Sequence, residues 1–265
     1  MARLVSKALI LARDREDVGA RMWNKVSGWC DRFSLSCSLT GVADSADVDT
    51  CAAALLSSPR KVLSSASKML PIEKHIETLR AKNINGGPFH SKGLQNGTVT
   101  LGRLCYLACR YLRPRVVVET GVAYGVTSAY ILAALAENGY GDLYSIDLPP
   151  LAPNASRYIG YFVPTELRSR WKLKLGPAQK LLPALLQQTQ PIDIFIHDSL
   201  HTYSHMKWEF ASALSALRKG GVLISDDIEG NRAFEQLLRR GDTEGWFAIR
   251  QHRKDAICGA LRTKS

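Results

Sequence analysis

The sequence predicts an α/β protein: a doubly wound, mostly parallel seven-stranded sheet preceded by a helical annex. Three observations point there. From Arg115 onward, short apolar runs alternate with helical stretches, the pattern of repeated βα units. The runs at 116–118 (VVV) and 194–196 (IFI) are continuously apolar, as strands are when helices cover both faces of a parallel sheet. Residues 1–90, by contrast, show no strand-like alternation.

The annex reads as helices over roughly 2–13, 16–29, 46–69 and 71–82. The last has Pro71 in its first turn, where a missing N–H costs nothing. The segment AKNINGGPFHSKGLQNG (81–97) is rich in Gly, Asn and Pro and reads as loop. It divides an N-terminal annex or lid, residues 1–97, from an α/β unit, residues 98–265. That unit opens with a helix over 98–112, closed by Pro114. RVVVE (115–119) is a strand, GVTSAYILAALAEN (125–138) a helix, and LYSID (143–147) a strand. Residues 157–170 are partly helical despite Pro164. KLKL (172–175), IDIFIH (192–197) and GVLISDD (221–227) are further strands, with helices over 177–189, 203–219 and 231–240. WFAIR (246–250) and AICGALR (256–262), joined by QHRKD, make a terminal antiparallel hairpin.

At 265 residues, 46% hydrophobic and 22% charged, the chain has the composition of a soluble globular protein. Its apolar runs are far too short to span a bilayer, so no membrane partner is expected. The early patch ALIL is followed by Arg13 and Arg15 and lacks a small-residue cleavage site. No signal peptide is therefore expected, and the cytoplasm is the expected location. Six cysteines form no CxxC pair; Cys105 and Cys109 share a helix face without further ligands nearby and read as buried, reduced thiols. The net charge of +11 is uneven, with 17 cations against 9 anions before Arg115 and 18 against 15 after. The early cations are scattered and not interleaved with aromatics, so they read as solvated helix faces, and nucleic acid is not the expected partner.

Ligands of a doubly wound sheet bind beyond the carboxyl ends of its strands. The first strand runs out into ETGVAYGVTS, where Gly121 and Gly125 permit a tight turn and close approach of a ligand to the backbone. Ala123 and Val126 stand where a dinucleotide fingerprint needs glycine, and no P-loop is present. The second strand ends in Asp147, a carboxylate able to accept both hydroxyls of a ribose or to cap the next turn. GPA (176–178) follows the third and can line an adenine through its backbone. The fourth strand ends in His197-Asp198 and the fifth in Asp226-Asp227. If these ends are neighbours, three carboxylates meet, and their repulsion favours a captured Mg²⁺, Mn²⁺ or Ca²⁺ unless water screens them. His201, in the loop three residues past Asp198, is placed to act as general base. His197 should alternate away from Asp198 and pack or orient a loop. His205 falls on a helix whose apolar face is Met206, Phe210, Ala213, Leu214 and Leu217, and reads as surface or one step removed from the pocket.

Taken together, VVETGVAYGVTSAYILAAL, LYSIDLP, DIFIHDSLHTYSHMKWEF and GGVLISDDI, in this order over about 98–262, resemble a class I S-adenosylmethionine-dependent methyltransferase with its Rossmann-like fold. More narrowly, they are similar to the divalent-metal-dependent small-molecule O-methyltransferases that modify sugars and sugar-bearing natural products. The resemblance implies that Glu119, Thr120, Gly121 and Gly125 hold the methionine end of the cofactor, Asp147 its ribose, and Ala178 lies by the adenine. It implies Asp198, Asp226 and Asp227 as ligands of Mg²⁺ or Mn²⁺, and His201 as the catalytic histidine. Asp198 is counted with the catalytic and cofactor-binding residues as well. Ala123 departs from the glycine that many methyltransferases have there. Phe89, His90 and Ser91 are read as lid or acceptor contacts. The expected activity is methylation of a small-molecule hydroxyl, most of all a saccharide, by a chain able to self-associate. An RNA 2′-O-methyltransferase and a non-catalytic adenosyl-ligand-binding protein are the alternatives.

Overall fold

The computed structural model describes residues 15–30, 39–44, 48–56, 67–82, 98–152, 154–251 and 256–265. The expected helix over 2–13, the loop residues Phe89, His90 and Ser91, and the hairpin turn 252–255 lie outside them. Before the sheet come α1 (Arg15–Cys30), α2 (Val48–Leu56), α3 (Leu70–Ala81) and α4 (Val99–Leu112). The sheet region runs β1 (Val116–Thr120), α5 (Val126–Asn138), β2 (Asp142–Asp147), β3 (Trp171–Leu175), α6 (Ala178–Thr189) and β4 (Ile192–His197). It continues with α7 (Tyr203–Ala216), β5 (Leu217–Ser225), α8 (Ala233–Leu238), β6 (Thr243–Arg250) and β7 (Ile257–Thr263).

The seven strands lie in the order β3-β2-β1-β4-β5-β7-β6. The first five are parallel; β7 runs antiparallel to β5, and β6 antiparallel to β7. The chain winds outward from β1 to β3 and then crosses back to β4, so the switch point falls between β1 and β4. Each central strand supplies both faces. Val117 joins the core beneath α4 and α5, whereas Val118 joins the core beneath α6, α7 and α8 with Phe195, Phe210 and Phe234. This two-sided burial is why the strands read as unbroken apolar runs. At one edge β3 exposes Lys172 and Lys174, charges that oppose pairing with a further strand.

The described part of the annex has no core of its own. Val48, Ala52, Ala53 and Leu56 of α2 and Ile72 and Ile76 of α3 join the α4–α5 core. Ala43 adds a short bridge to β6, its N–H donating to Ala248 O at 2.9 Å and its carbonyl accepting from Arg250 N at 2.8 Å. Of the expected helix over 46–69, the described residues form α2 and a 3₁₀ turn, Ser67–Met69, that leads straight into α3.

The expected helix over 203–219 stops at Ala216, and β5 begins at once. Leu217 pairs with Ile192, and Arg218 Nε lies 2.6 Å from Asp193 Oδ1. Strand pairing therefore takes over three residues for which helical periodicity predicts a different state. β5 also ends earlier than expected, at Ser225; Asp226 keeps one hydrogen bond of the ladder, to His197 O, and Asp227 leaves it.

One close approach sets the spacing of α4 on α5. A Cβ at Gly102 would meet the Tyr130 ring at 2.3 Å. Gly102→Ala should therefore destabilise the fold by about 1–3 kcal/mol through overpacking, although alanine is favoured over glycine in a helix by about 1 kcal/mol. Urea unfolding of the two proteins measures the sign.

Candidate active site

Parallel pairing brings the strand ends level. Thr120 stands opposite His197, and His197 opposite Ser225. The ladder then runs on by one hydrogen bond at each junction: Asp198 N donates to Thr120 O at 2.8 Å, and Asp226 N to His197 O at 2.9 Å. Asp198 and Asp226 thus emerge side by side at the rim, as the neighbouring strand ends predict.

The turn after β1 is built around Gly121 and Gly125, at φ +83° and +82°. A Cβ at Gly121 would stand 1.9 Å from the Asp198 carbonyl oxygen, so only glycine allows this turn to touch the β4 loop. Ala123 adopts φ +47°, in the left-handed region. The departure from glycine at that position therefore carries backbone strain. Asp147 holds the turn from the end of β2: its Oδ2 accepts from Val122 N at 2.7 Å and Ala123 N at 2.9 Å. Burial raises its carboxyl above the ordinary value, against the pull of those two amides. The Asp147 carbonyl accepts from Gly176 N at 2.8 Å, which sets the 176–178 loop and Ala178, the first residue of α6, beside it.

Glu119 and Thr120 lie beneath the turn and point to opposite faces of the sheet. Glu119 is fully buried toward α5, with Oε2 accepting from Ser128 and Ser145 hydroxyls at 2.7 Å each. Its Oε1 is buried without a hydrogen-bond partner, as is Thr127 Oγ1 in the first turn of α5. Burial pushes the Glu119 carboxyl up to about 7, the two serine hydroxyls only partly opposing it. Thr120 donates instead to Glu209 Oε2 at 2.6 Å.

At the β4–β5 rim, ligand atoms of Asp198, His201 and Asp226 lie within 4.8 Å of one another. His201 Nε2 is buried without a hydrogen-bond partner, 3.8 Å from Asp198 Oδ1, while Nδ1 lies 3.2 Å from Asp227 Oδ2. Asp227, expected beside the other two carboxylates, sits in left-handed backbone at φ +47° and faces His201. Asp226 accepts from the Gln251 side-chain amide, and Gln251 Oε1 accepts from the Thr98 hydroxyl that caps α4. The amide donor fixes the orientation of the carboxylate.

Behind the rim stands a buried polar cluster centred on Glu209. His197 turns away from Asp198 as alternation predicts, and its Nδ1 lies 2.6 Å from Glu209 Oε2. His205 is buried, not on the helix surface, with Nε2 at 2.9 Å from Glu209 Oε1 and Nδ1 at 3.1 Å from Gln179 Nε2. Since the Gln179 amide can only donate, His205 carries its proton on Nε2 and gives it to Glu209. Burial alone would raise Glu209, but His197 and His205 outweigh it and hold the carboxyl well below the usual range. Sequence reasoning missed Glu209, Gln179, Gln251 and Thr98. Only Glu209 leaves a trace, as a carboxylate four residues after His205 among the apolar positions 206, 210 and 213 of α7.

Helix α1 crosses the same end of the sheet. Arg21 Nη2 donates to Pro149 O at 2.8 Å, and Gln179 Nε2 donates to Asn24 Oδ1 at 3.2 Å. Thr202 Oγ1 donates to Ser27 Oγ at 3.4 Å.

Residues 118–228 match the family model described as a methyltransferase domain. Comparison with curated protein sequences finds no match. Among solved structures, the chain is similar to the O-methyltransferase TomG of Streptomyces achromogenes, involved in tomaymycin synthesis and solved with SAM. That match has 20% identity over 72% of this chain and 89% of that one, with a TM-score of 0.55. An O-methyltransferase from Bacillus cereus in complex with SAH matches at 16% identity over 82% and 100% of the two chains, TM-score 0.53. The SAH-bound methyltransferase PaMTH1 of Podospora anserina matches at 12% identity over 92% and 96%, TM-score 0.50. At these identities the likeness is one of fold.

Glu119 gives a pH prediction. Its carboxyl holds a proton to about 7 in the folded protein against 4.5 for the ordinary group, so stability is lost as pH rises between those values. The loss from this one group is roughly 3 kcal/mol. Urea melts from pH 4.5 to 8 should show Glu119→Gln gaining on the native sequence by about that amount as pH rises; parallel curves would contradict the shift.

Proposed function

From the match of residues 118–228 to a methyltransferase-domain model, we propose that the chain transfers the methyl group of S-adenosylmethionine to a hydroxyl of a small molecule, most of all a saccharide or glycosylated metabolite, with the help of Mg²⁺ or Mn²⁺. The observation that carries this reading is the convergence of Asp198, His201 and Asp226 beside the Gly121 turn.

The pocket residues suit the methyl donor. Glu119 Oε1 and Thr127 Oγ1 are buried polar atoms left without partners below and beside the turn, suited to the methionine end. Asp147 has one oxygen committed to the turn amides and a second to offer a ribose. Ala178 and the backbone at 176–177 flank the place for the adenine, and α1 is the lid, its polar side spanning Pro149, Gln179 and Thr202. The buried thiols of Cys105 and Cys109 fit a reducing, cytoplasmic setting. Among the described residues no helix is long and apolar enough to cross a membrane.

The rim suits a divalent cation. Two carboxylates and an unpartnered imidazole nitrogen converge there, and like charges so close are stabilised by a shared positive ion. Asp198 and Asp226 would hold it, and it would supply positive charge that favours the deprotonated form of the acceptor hydroxyl. His201 is the base: Asp227 against Nδ1 leaves Nε2 to accept the proton and stabilises the imidazolium that forms. Nε2 takes the hydroxyl proton. As the acceptor oxygen forms the new C–O bond, the C–S bond breaks in line and its electron pair stays on sulfur. The turn at 121–125 and the rim fix the two partners in that line, which supplies the orientational part of the acceleration. Vicinal hydroxyls, such as those of a sugar, offer the paired oxygens that a cation prefers.

A screen with methyl-labelled cofactor against sugars, oligosaccharides and glycosylated metabolites should find an acceptor that EDTA silences and magnesium restores. Labelling of RNA alone, with steep salt dependence, would replace the saccharide reading. His201→Ala should lower turnover by roughly 10²–10⁴ while S-adenosylhomocysteine affinity by calorimetry stays within about twofold. Asp226→Asn should abolish Mn²⁺ binding, whereas Asp227→Asn should retain it and slow turnover. Gln251→Leu should weaken Mn²⁺ by about tenfold or more, as loss of a ligand's outer hydrogen bond does.

A further inference from the structure

Glu209 is fully buried on α7, among Met206, Phe210 and Ala213, where an apolar side chain would fill the same space at less cost in desolvation. Its partners account for its presence. Thr120 Oγ1 and His197 Nδ1 meet Oε2 at 2.6 Å each; His205 Nε2 and Ser199 Oγ meet Oε1 at 2.9 and 3.1 Å. Thr120 immediately precedes Gly121 of the cofactor turn. His197 and Ser199 bracket Asp198, so one carboxylate grips the chain on both sides of that residue. All four donors are satisfied by an anionic, unprotonated Glu209, and no other carboxylate among the described residues takes part.

The two segments gripped in this way also touch directly. Asp198 N donates to Thr120 O at 2.8 Å, and the Asp198 carbonyl lies where a Gly121 side chain would begin. A displacement of the turn therefore moves Asp198, and a shift of Asp198 moves the turn. A second line of contacts reaches the lid: His205 Nδ1 meets Gln179 Nε2, which also donates to Asn24 on α1.

We propose that Glu209 is a positioning residue that couples the two halves of the site, so that the methyl donor and the divalent cation each bind more tightly when the other is present. This rests on the methyl-transfer reading above. Whichever ligand arrives first orders the Thr120–Gly121 turn and the His197–Ser199 segment together, and the second finds its half already in place. Glu209→Gln keeps the shape but replaces one acceptor oxygen with a donor, which two of the four hydrogen bonds cannot accommodate.

The test is calorimetric titration of the full chain with S-adenosylhomocysteine, with and without Mn²⁺, and the converse Mn²⁺ titration followed by electron paramagnetic resonance. In the native protein each ligand should tighten the other by about fivefold or more. In Glu209→Gln both should still bind, with the mutual gain below about twofold. Ser199→Ala removes a single donor and should give an intermediate gain; it decides the matter if Glu209→Gln does not fold. Independent binding in the native protein, or undiminished coupling in either variant, overturns the proposal while leaving the methyl-transfer reading in place. Absence of binding by either ligand to the native protein sinks both.

Discussion

The level alignment of Thr120, His197 and Ser225 across three parallel strands is the constraint on which the rest of this site depends. It makes neighbours of residues far apart in the chain and sets Asp198 and Asp226 on adjacent ladder continuations. Parallel pairing cannot be made by a short hairpin, so these strands are separated along the chain by long connections that carry helices. The helices that satisfy this connectivity also supply the polar partners: α7 brings Glu209 and His205, α6 brings Gln179, and α5 brings Thr127 and Ser128. The architecture that closes the sheet thus also furnishes the site.

Two fully buried glutamates on either side of that sheet show how local donors decide charge. Glu119 has two hydroxyl donors on one oxygen and none on the other, and burial raises its carboxyl to about 7. Glu209 has four donors shared over both oxygens, and its carboxyl is held low although burial by itself would raise it. The difference follows from the neighbours: the charge of His197 and the hydrogen bonds from His197 and His205 outweigh desolvation at Glu209, whereas two neutral serine hydroxyls do not at Glu119. One carboxylate is thereby a fixed anion that organises loops. The other keeps an unpartnered oxygen beside the turn.

Close approach explains the small residues. Gly121 is set by the Asp198 carbonyl and Gly102 by the Tyr130 ring, different neighbours that impose the same requirement. Ala123 shows the tolerance of the same turn, for at φ +47° it accepts a methyl group with strain rather than collision. The two amide hydrogen bonds to Asp147, from residues 122 and 123, hold that conformation in place.

The sequence by itself determined the sheet class, the strand sequence and the rim residues. Continuous apolar runs report two-sided burial, and Asp147, Asp198, Asp226 and Asp227 follow those runs directly, so period and position suffice to find them. The orientation of His197 was equally legible, because alternation along a strand is local. Tertiary structure alone decided where helix α7 yields to β5, since Leu217 and Arg218 answer to partners at 192 and 193 across the ladder. It also set Asp227 against His201 and gave Asp226 a support from Gln251, which lies 25 residues away, and through it from Thr98. Those assignments depend on side-chain hydrogen bonds between distant segments, and no periodicity or spacing encodes which distant donor will reach a given acceptor.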